Sequence, residues 1–255
     1  MINDSDIRVP AGYLRRIMAP FAQSNVGMVT AMYRGIAASI FARLEALGIS
    51  TDFSAGVLAA RELQGIHFGL GSTLAFPRRS LEAIGGFKPL FDYLGDDYEL
   101  GARISSTGQE VVLSDVVVDT HLPAYSFAAY WRHQLRWART MRDSRRWGYF
   151  GMITTFGLPW SLIALAFAGG AGWAWALAGI VLLTRLIMAQ TIGKRILHDP
   201  LLPAGLWLVP VRDFLGLLLW AASYFGRTII WRGDRFELRD GKLTHSTSRR
   251  NTASV

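Results

Sequence analysis

Apolar and charged residues are distributed differently on the two sides of Trp147. Before Trp147, charged residues are scattered among short periodic apolar runs, whereas residues 147–184 contain no Asp, Glu, Lys or Arg. A helix that crosses a membrane needs about 20 predominantly apolar residues. This stretch therefore predicts two membrane helices, at about 149–168 and 171–190, separated by a tight turn at Gly169-Gly170. A buried pair of helices in a soluble protein is the alternative, and the length of the charge-free stretch argues against it.

A third apolar segment, residues 201–230, has features that a simple membrane helix lacks. Pro203 and Pro210 interrupt it, and Arg212-Asp213 places two charges inside it. Charged side chains within a membrane are costly and usually face protein, water or one another. The segment is interpreted as a third crossing, a re-entrant helix or an interfacial helix. Basic residues on both sides of it favour a cytoplasmic position for both ends, so an incomplete crossing is the favoured alternative.

The first 146 residues alternate between helical and strand-like patterns. Such alternation predicts an α/β fold, in which a sheet is covered by helices. The predicted helices span residues 10–21, 36–47 (closed by Gly48), 80–86 (ending at Gly85-Gly86) and 97–106, and the predicted strands span 26–34, 72–76 and 110–118. Four regions result: an α/β domain at 1–123, a basic amphipathic interfacial helix at 124–147, membrane helices at 148–230 and a basic tail at 231–255.

The composition is typical of a membrane protein with a phosphate-binding surface. Apolar residues make up 51% of the chain, which has 9 Trp and a mean hydropathy of +0.24. The formal charge of +8 comes largely from arginine, because Lys88, Lys194 and Lys242 are the only lysines. Arginine can hold two phosphate oxygens at once and is attracted to anionic lipid. No nucleic-acid-binding motif accompanies the charge, and the lack of cysteine excludes disulfides and thiol chemistry.

The first candidate for chemistry is the triplet Asp4-Ser5-Asp6, which precedes Ile7 and Val9. Two carboxylates one residue apart, at the end of an expected strand, can jointly hold Mg²⁺ or Mn²⁺ through oxygen ligands. Such a cation would bridge to a diphosphate. The alternative interpretation is a solvated turn.

The second candidate is the acidic pair in Gly95-Asp96-Asp97-Tyr98. Carboxylates at the start of a helix are favoured there by the helix dipole, which is one interpretation. The other interpretation makes one of them a general base, since a group transfer to an alcohol needs a carboxylate that removes the hydroxyl proton.

The third candidate is His133-Gln134-Leu135-Arg136-Trp137, which lies in a basic stretch before the first membrane segment. Arginines recur at helical spacing through this stretch, which predicts a helix that lies on anionic lipid. The alternative is a ligand site, in which Arg136 contacts a diphosphate and Trp137 walls an acceptor pocket.

The order of these three candidates, followed by apolar helices, resembles the inverting membrane glycosyltransferases of the ceramide glucosyltransferase family, family 21. That group includes bacterial glycosyltransferases of hopanoid biosynthesis. The resemblance rests on five phrases of this sequence: Asp4-Ser5-Asp6-Ile7-Arg8-Val9, Gly71-Ser72-Thr73-Leu74-Ala75-Phe76-Pro77-Arg78-Arg79, Gly95-Asp96-Asp97-Tyr98, Arg136-Trp137-Ala138-Arg139-Thr140 and Trp231-Arg232-Gly233.

The resemblance implies a GT-A (nucleotide-diphospho-sugar transferase) domain and a role for each candidate. Asp4 and Asp6 correspond to the metal carboxylates, and Asp96-Asp97 to the acidic pair whose second member is the base. Arg136 and Trp137 belong to a signature whose first residue is usually Gln or Arg.

This sequence departs from that signature, because it has His133 at the first position and Gln134 one place later. These two residues are expected to join Arg136 and Trp137 in binding the donor diphosphate. His67 is a weaker candidate for the acceptor site.

The implied reaction moves a hexose, glucose or N-acetylglucosamine, from a UDP-sugar to a lipid hydroxyl of ceramide or a hopanoid. The expected setting is the cytoplasmic face of a bacterial inner membrane, with Mg²⁺ or Mn²⁺ as cofactor and without nucleic acid. A processive polysaccharide synthase and an inactive membrane fragment are the alternatives. The resemblance also implies that an N-terminal anchor and the first half of the GT-A domain are missing, which predicts a partial domain with an open strand edge.

Overall fold

The computed structural model of the protein describes residues 1–231 and 234–245. The strands within these ranges are β1 (Ile7–Arg8), β2 (Val26–Ile36), β3 (Leu74–Ala75), β4 (Glu110–His121), β5 (Thr228–Trp231), β6 (Asp234–Arg239) and β7 (Lys242–His245). The α-helices are α1 (Tyr13–Met18), α2 (Ile40–Gly48), α3 (Ser54–Gln64), α4 (Arg78–Ala83), α5 (Asp96–Ser106), α6 (Phe127–Ser144), α7 (Arg146–Gly151), α8 (Gly157–Phe167), α9 (Gly172–Ala189), α10 (Leu202–Gly205) and α11 (Val209–Ser223). Two π-helical segments, Ile49–Phe53 and Gln190–Ile196, follow α2 and α9.

The N-terminal domain contains a mixed four-stranded sheet in the order β1-β4-β2-β3. The long strands β2 and β4 are parallel, and they pair from Val26 opposite Glu110 to Ile36 opposite His121. The short strands β1 and β3 are antiparallel to their neighbours. The α/β class predicted from the sequence is confirmed, and the arrangement is consistent with a partial GT-A domain followed by membrane helices.

The central strand β2 is buried on both faces, which explains why its sequence is a continuous apolar run. Met28 and Met32 pack with residues of α5 on one face, and Val29 packs with α1 on the other. The open strand edge expected from the sequence is only partly seen. Strand β3 pairs with β2 at two positions, yet all side chains from Val26 to Tyr33 are buried.

The helix predicted to close at Gly48 continues beyond it, so that prediction was wrong. Helix α2, the π-helical segment Ile49–Phe53 and α3 follow one another without a break. Gly48 has right-handed helical angles, whereas a terminating glycine adopts a left-handed conformation. Its missing side chain instead leaves room for Arg212, whose guanidinium would collide with a Cβ at this position.

The apolar C-terminal half forms helices that are suited to a membrane. Gly172–Ile196 and Leu202–Ser223 are each long and apolar enough to cross one. A third candidate, Arg146–Thr155 with Gly157–Phe167, is bent by 50°. The predicted turn at Gly169-Gly170 is confirmed, because both glycines have positive φ angles, of 59° and 77°.

The bent segment is therefore the first apolar segment, Arg146–Thr155 with Gly157–Phe167. The sequence instead favoured an incomplete crossing for the third segment, residues 201–230. Pro203 and Pro210 do not interrupt that third segment. Each lies in the first turn of its helix, α10 or α11, where the N–H that proline lacks has no intrahelical partner in any case.

Four charged residues form one cluster, the membrane charge cluster, defined as Asp52, Arg185, Arg212 and Asp213. Arg185 Nε donates to Asp213 Oδ1 at 3.0 Å, and Arg185 also pairs with Asp52. Arg212 Nε lies 3.3 Å from Asp52 Oδ2. Two positive and two negative charges therefore neutralise one another, as expected for ionisable groups inside a membrane protein. The cluster joins α9 and α11 to the π-helical segment of the N-terminal domain.

Two arginines of α6, Arg139 and Arg142, contact the protein instead of contributing to a free basic face. Arg139 donates from Nη1 to Thr228 O and from Nη2 to Phe225 O, both at 2.5 Å. Arg142 donates to Ser223 O. Cationic side chains are favourable at a helix C-terminus because the last carbonyls lack partners there. These two arginines therefore bind backbone carbonyls at and just after the end of α11. A helix that simply lies on lipid would not make these contacts.

Residues 228–230, predicted to belong to a membrane helix, instead lie in β5, the first strand of a three-stranded antiparallel sheet, β5-β6-β7, that continues into the region predicted as a basic tail. This sheet contacts the loop before α5: Leu94 N donates to Gly241 O at 3.1 Å, and Leu243 N donates to Asp92 O at 2.6 Å. Arg232 and Gly233, which belong to a phrase of the family resemblance, lie outside the described residues, as do residues 246–255.

Asp213→Asn is expected to destabilise the protein strongly, because it leaves the buried guanidinium of Arg185 with less compensating charge. Removing one partner of a buried ion pair costs about 3–5 kcal/mol, which corresponds to a melting temperature lowered by roughly 6 °C or more. Thermal melting of the purified protein in detergent measures this shift. Asp115→Asn is the control, since Asp115 is exposed and pairs with Arg16 at the surface. Equal shifts for the two variants would contradict the prediction.

Candidate active site

The triplet Asp4-Ser5-Asp6 lies at the edge of the sheet where β2 and β4 end. The strand β1 follows the triplet, whereas the sequence predicted a strand before it. Asp6 is held by the end of β4, because Thr120 Oγ1 donates to Asp6 Oδ2 at 3.1 Å and His121 N donates to Asp6 O at 3.0 Å. In open α/β sheets, ligands bind outside the carboxyl ends of the parallel strands. The triplet occupies that position.

Asn3 fastens the N-terminal segment to the loop that precedes β3. Its Nδ2 donates to Ser72 O at 2.7 Å and to the hydroxyl of Tyr13 at 2.8 Å. A longer contact of 3.2 Å joins Nδ2 to Thr73 Oγ1. Asn3 therefore determines where the neighbouring Asp4 lies, a role that the sequence analysis missed because a single Asn carries no motif.

The same loop is anchored to the central strand β2. Thr30 Oγ1 donates to Thr73 O at 2.8 Å and accepts from Leu70 N at 2.9 Å. Ser72 Oγ donates to Ala31 O at 2.9 Å. These bonds fix the backbone on both sides of Gly71, whose N–H points towards α5.

Asp97 is held at the start of α5 by two backbone N–H groups. Gly71 N donates to Asp97 Oδ2 at 2.8 Å, and Tyr98 N donates to Asp97 Oδ1 at 2.7 Å. Asp96 is more exposed, and its Oδ1 accepts from Asp97 N at 3.0 Å. Both interpretations of the acidic pair thus find support: Asp96 satisfies a free N–H at the helix start, and Asp97 is positioned as a fixed carboxylate.

Close backbone approaches at glycines bring the acidic residues together. Helix α5 packs directly on the loop, because a Cβ at Gly101 would collide with the backbone of Phe68 and Gly69. A Cβ at Gly71 would lie 3.1 Å from Asp4 Oδ2 and 3.2 Å from Asp97 Oδ2. Asp4 and Asp97, which are 93 positions apart in the chain, therefore flank one glycine.

The acidic cluster, defined as Asp4, Asp6, Asp96 and Asp97, has a strongly negative field. Burial raises the pKa of Asp97 to about 6, and the charges of Asp96 and Asp4 add to the rise, while the two backbone N–H groups oppose it. Burial also raises the pKa of Asp4, with further contributions from Asp6 and Asp96. Mutual repulsion of this kind is relieved by a bound cation.

The acidic cluster suits a cation that is shared with a ligand better than one held by protein alone. Within the described residues, no three His, Asp or Glu side chains are arranged to hold a metal ion. Magnesium is usually bound by only one or two carboxylates, together with water and substrate phosphate oxygens. Asp4 fits that pattern, whereas Asp6 is hydrogen-bonded to Thr120 and Asp97 to two backbone N–H groups.

Two tyrosines connect the acidic cluster to α6. The pKa of the buried Tyr33 is raised by burial first, and then by Asp97 and Glu45 among other carboxylates. The pKa of Tyr125 is also raised by burial first, then by Glu45 and Asp6, while Arg136 lowers it. Asp6 and Arg136 therefore lie close enough to Tyr125 to act on the same hydroxyl. Neither tyrosine carries a sequence signal, since Tyr33 resembles any apolar strand residue.

Arg136 is the arginine of α6 best placed to bind a ligand at this site. It is partly buried, and that burial lowers its pKa. Among the described residues, no ion pair or hydrogen bond engages its guanidinium, in contrast to Arg139 and Arg142. Beside it, the ring of Trp137 packs edge-on against Phe53 at 6.3 Å between centroids. A partly buried cation without a partner can accept a phosphate group.

His133 is already in contact with the protein. Its Nδ1 lies 3.2 Å from both carboxylate oxygens of Glu45, a buried residue of α2. Its ring stacks on Tyr125 at 5.6 Å. Gln134 is partly exposed and makes no side-chain hydrogen bond to the described part of the chain. The sequence analysis missed Glu45, which looks like an ordinary polar residue of an amphipathic helix.

His67 is not brought to the acidic cluster. Its Nδ1 contacts Ser105 Oγ and its Nε2 contacts Gln64 O, both at 2.7 Å. Ser105 lies near the far end of α5, about 12 Å along the helix from Asp97. Both ring nitrogens are therefore occupied away from the site where an acceptor was expected.

A comparison with protein-family models identifies a family for this chain. The model of a family described as Glycosyl transferase family 21 matches residues 1–244, nearly the whole chain. A comparison with curated proteins gives no significant match.

Gly71→Ala is expected to lower glycosyl transfer at least tenfold, because the added methyl would press on Asp4 and Asp97 and move their carboxylates apart. The melting temperature should stay close to that of the wild type, since the neighbours are partly exposed side chains. Initial rates and thermal melting of the purified variant measure the two effects. Gly56→Ala is the control, because a Cβ at Gly56 in α3 would meet no atom within 4 Å. Equal rates for both variants would contradict the role of Gly71.

Proposed function

We propose that this chain, which belongs to glycosyl transferase family 21, transfers a hexose from a UDP-sugar to the hydroxyl of a membrane lipid. Glucose and N-acetylglucosamine are the proposed sugars, ceramide and hopanoids the proposed acceptors, and the cytoplasmic face of a bacterial inner membrane the proposed setting. The observation that carries the proposal is the fixed carboxylate of Asp97, which two backbone N–H groups hold across Gly71 from Asp4. The start of its helix approaches α6 one turn from Arg136, because a Cβ at Gly95 would lie 3.3 Å from Thr140.

Asp97 has the properties of a general base for this reaction. Transfer to an alcohol requires removal of the hydroxyl proton as the new bond forms. With a pKa of about 6, Asp97 is ionised at neutral pH and is more basic than an ordinary carboxylate. The backbone N–H groups of Gly71 and Tyr98 fix both of its oxygens, so the carboxylate is oriented before the acceptor arrives. Attack from the side opposite the diphosphate would invert the anomeric carbon.

Arg136 has the properties of a group that stabilises the leaving diphosphate. Negative charge develops on the diphosphate as the bond to the sugar breaks, and a positioned cation in a partly dry site stabilises that charge. The guanidinium is partly buried, and among the described residues it makes no hydrogen bond or close ion pair, although the Glu45 carboxylate acts on it at longer range. Trp137 would line the acceptor side of the same pocket.

The proposed cofactor is Mg²⁺ or Mn²⁺, held by Asp4 with Asp6 nearby. A bound cation of this kind neutralises charge on a diphosphate without taking part in proton transfer. The raised pKa values of Asp4 and Asp97 support this proposal, because burial and, to a lesser extent, neighbouring carboxylates both disfavour their negative charge, which a bound cation would stabilise.

The membrane helices support a lipid acceptor. Large apolar side chains are exposed on α8, α9 and α11, among them Trp173, Trp175 and Phe214, and such a surface is suited to lipid. The membrane charge cluster fastens these helices to the domain that contains Asp97. A lipid hydroxyl could therefore reach the acidic cluster while its apolar part stays in the membrane.

Two alternatives remain distinct from this proposal. A processive polysaccharide synthase needs a channel made by several further spans, whereas the described residues include two or three candidate spans. An inactive membrane fragment would neither bind a donor nor label a lipid.

Asp97→Asn is expected to reduce transfer about 100- to 10,000-fold, since removal of a general base has effects of that size. Membranes from cells that express the chain are incubated with radiolabelled UDP-glucose or UDP-N-acetylglucosamine, and label is measured in extracted lipid. Asp115→Asn is the control, because Asp115 is exposed and far from the acidic cluster along β4. Turnover within twofold of the wild type would show that Asp97 is not the base. Labelled polymer would favour the synthase, and absence of label from the wild type would favour the inactive fragment.

Chelation of divalent cations is expected to abolish the same labelling, and added Mg²⁺ or Mn²⁺ should restore it. Asp4→Asn should raise the cation concentration needed for half-maximal rate at least fivefold, because one ligand of the cation is lost. Full activity in excess chelator would contradict the cofactor proposal and leave the role of Asp97 intact.

A further inference from the structure

Glu45 is a buried carboxylate next to the proposed diphosphate site. Only 3% of its side chain is exposed, and its neighbours in α2, Leu44 and Leu47, belong to an apolar core. A buried carboxylate is costly unless it is paired or hydrogen-bonded. Among the described residues, its polar partner is His133, whose Nδ1 lies 3.2 Å from each of its oxygens.

The ring of His133 is also fixed by its aromatic neighbours. It stacks on Tyr125 with an angle of 25° between ring planes, and it lies 5.8 Å from the ring of Trp137. Because Nδ1 faces Glu45, Nε2 on the other side of the ring points away from α2. No hydrogen bond joins Nε2 to any described residue.

His133, Arg136 and Trp137 occupy one face of α6. Residues three and four positions apart on a helix are neighbours, with about 5–6 Å between their Cβ atoms. The ring of His133 and the guanidinium of Arg136 therefore extend from neighbouring positions of α6, and no hydrogen bond to a described residue engages either Nε2 or the guanidinium. Burial lowers the pKa of Arg136, while Tyr125 and Glu45 raise it, so the guanidinium lies near both the Glu45 carboxylate and Tyr125, on which the ring of His133 stacks.

We propose that Glu45 is a positioning residue of the transfer reaction, which fixes His133 through Nδ1 so that Nε2 binds the donor diphosphate beside Arg136. This inference rests on the proposed function, and it assigns a role to a residue of α2 that lies outside every motif of the sequence. Nε2 must carry a proton in order to donate to a phosphate oxygen. When Nδ1 donates to Glu45 at the same time, His133 is an imidazolium whose charge the Glu45 carboxylate balances.

The arrangement explains how a histidine can occupy the first position of the signature. A free imidazole rotates and exchanges its proton between two nitrogens, which is poorly suited to holding a diphosphate. The carboxylate removes both freedoms, since it fixes the ring and the position of one proton. A group that is held by a neighbour in this way binds its ligand with a smaller loss of conformational freedom.

The test compares UDP affinity in the full chain, purified in detergent, for Glu45→Gln, His133→Ala and the double variant. Each single variant is expected to bind UDP about tenfold more weakly, and the double variant no more weakly than His133→Ala, because Glu45 acts through His133. The KM for the UDP-sugar should rise by a similar factor, while the KM for the lipid acceptor stays unchanged. Glu82→Gln is the control, since Glu82 forms an exposed pair with Arg78.

Wild-type UDP affinity for Glu45→Gln, or losses in the double variant that multiply, would overturn the inference. A purely structural role would lower the melting temperature without changing UDP affinity in the folded fraction. If Glu45→Gln does not fold, Glu45→Asp replaces it, because the shorter carboxylate keeps the charge but cannot reach Nδ1 and should still weaken UDP binding. Failure of the wild type to bind UDP would contradict the proposed function itself, which separates the two outcomes.

Discussion

The parallel pairing of β2 and β4 is the constraint on which the rest of the N-terminal domain depends. It aligns the ends of both strands, with Ile36 opposite His121, so that everything attached to those ends meets at one edge. Thr120 and His121 hold Asp6 there, while β2 leads into α2 and Glu45. The carboxyl edge of a parallel pair is where α/β folds bind ligands, because the loops that leave the strands converge on it.

The acidic cluster shows how backbone packing can impose an electrostatic cost that serves chemistry. Thr30 fixes the loop around Gly71, and glycine contacts let α5 approach it, so that Asp97 is held against Asp4. Burial first, and repulsion from Asp96 and Asp4 after it, raise the pKa of Asp97 to about 6. A carboxylate with a raised pKa is a stronger base than one with an ordinary pKa. The close packing of these carboxylates costs stability, but it provides the basic and anionic groups that proton transfer and cation binding require.

The membrane charge cluster links the apolar helices to the long helix α2–α3, which also carries Glu45, the partner of His133. Asp52 lies in the π-helical segment of that helix and pairs with Arg185 from α9, while Glu45 lies about two turns earlier. Such π-helical segments are frequent at functional sites, since they re-aim side chains within an otherwise regular helix. One helix, α2–α3, therefore contacts both the membrane helices, through Asp52, and His133, through Glu45.

The local features of this protein could be predicted from its sequence alone. Continuous apolar runs predicted β2, β4 and the membrane helices, and the Gly169-Gly170 turn followed from local backbone preference, because each depends on residues that are neighbours in the chain. The ordered motifs also predicted the family, and with it Asp97 and Arg136 as site candidates. The contacts between segments that are distant in the chain became visible only in the folded structure. The continuation of the helix through Gly48, the inward use of the α6 arginines and the partnership of Glu45 with His133 all depend on contacts between residues far apart in the chain, for which a single sequence contains no periodic signal.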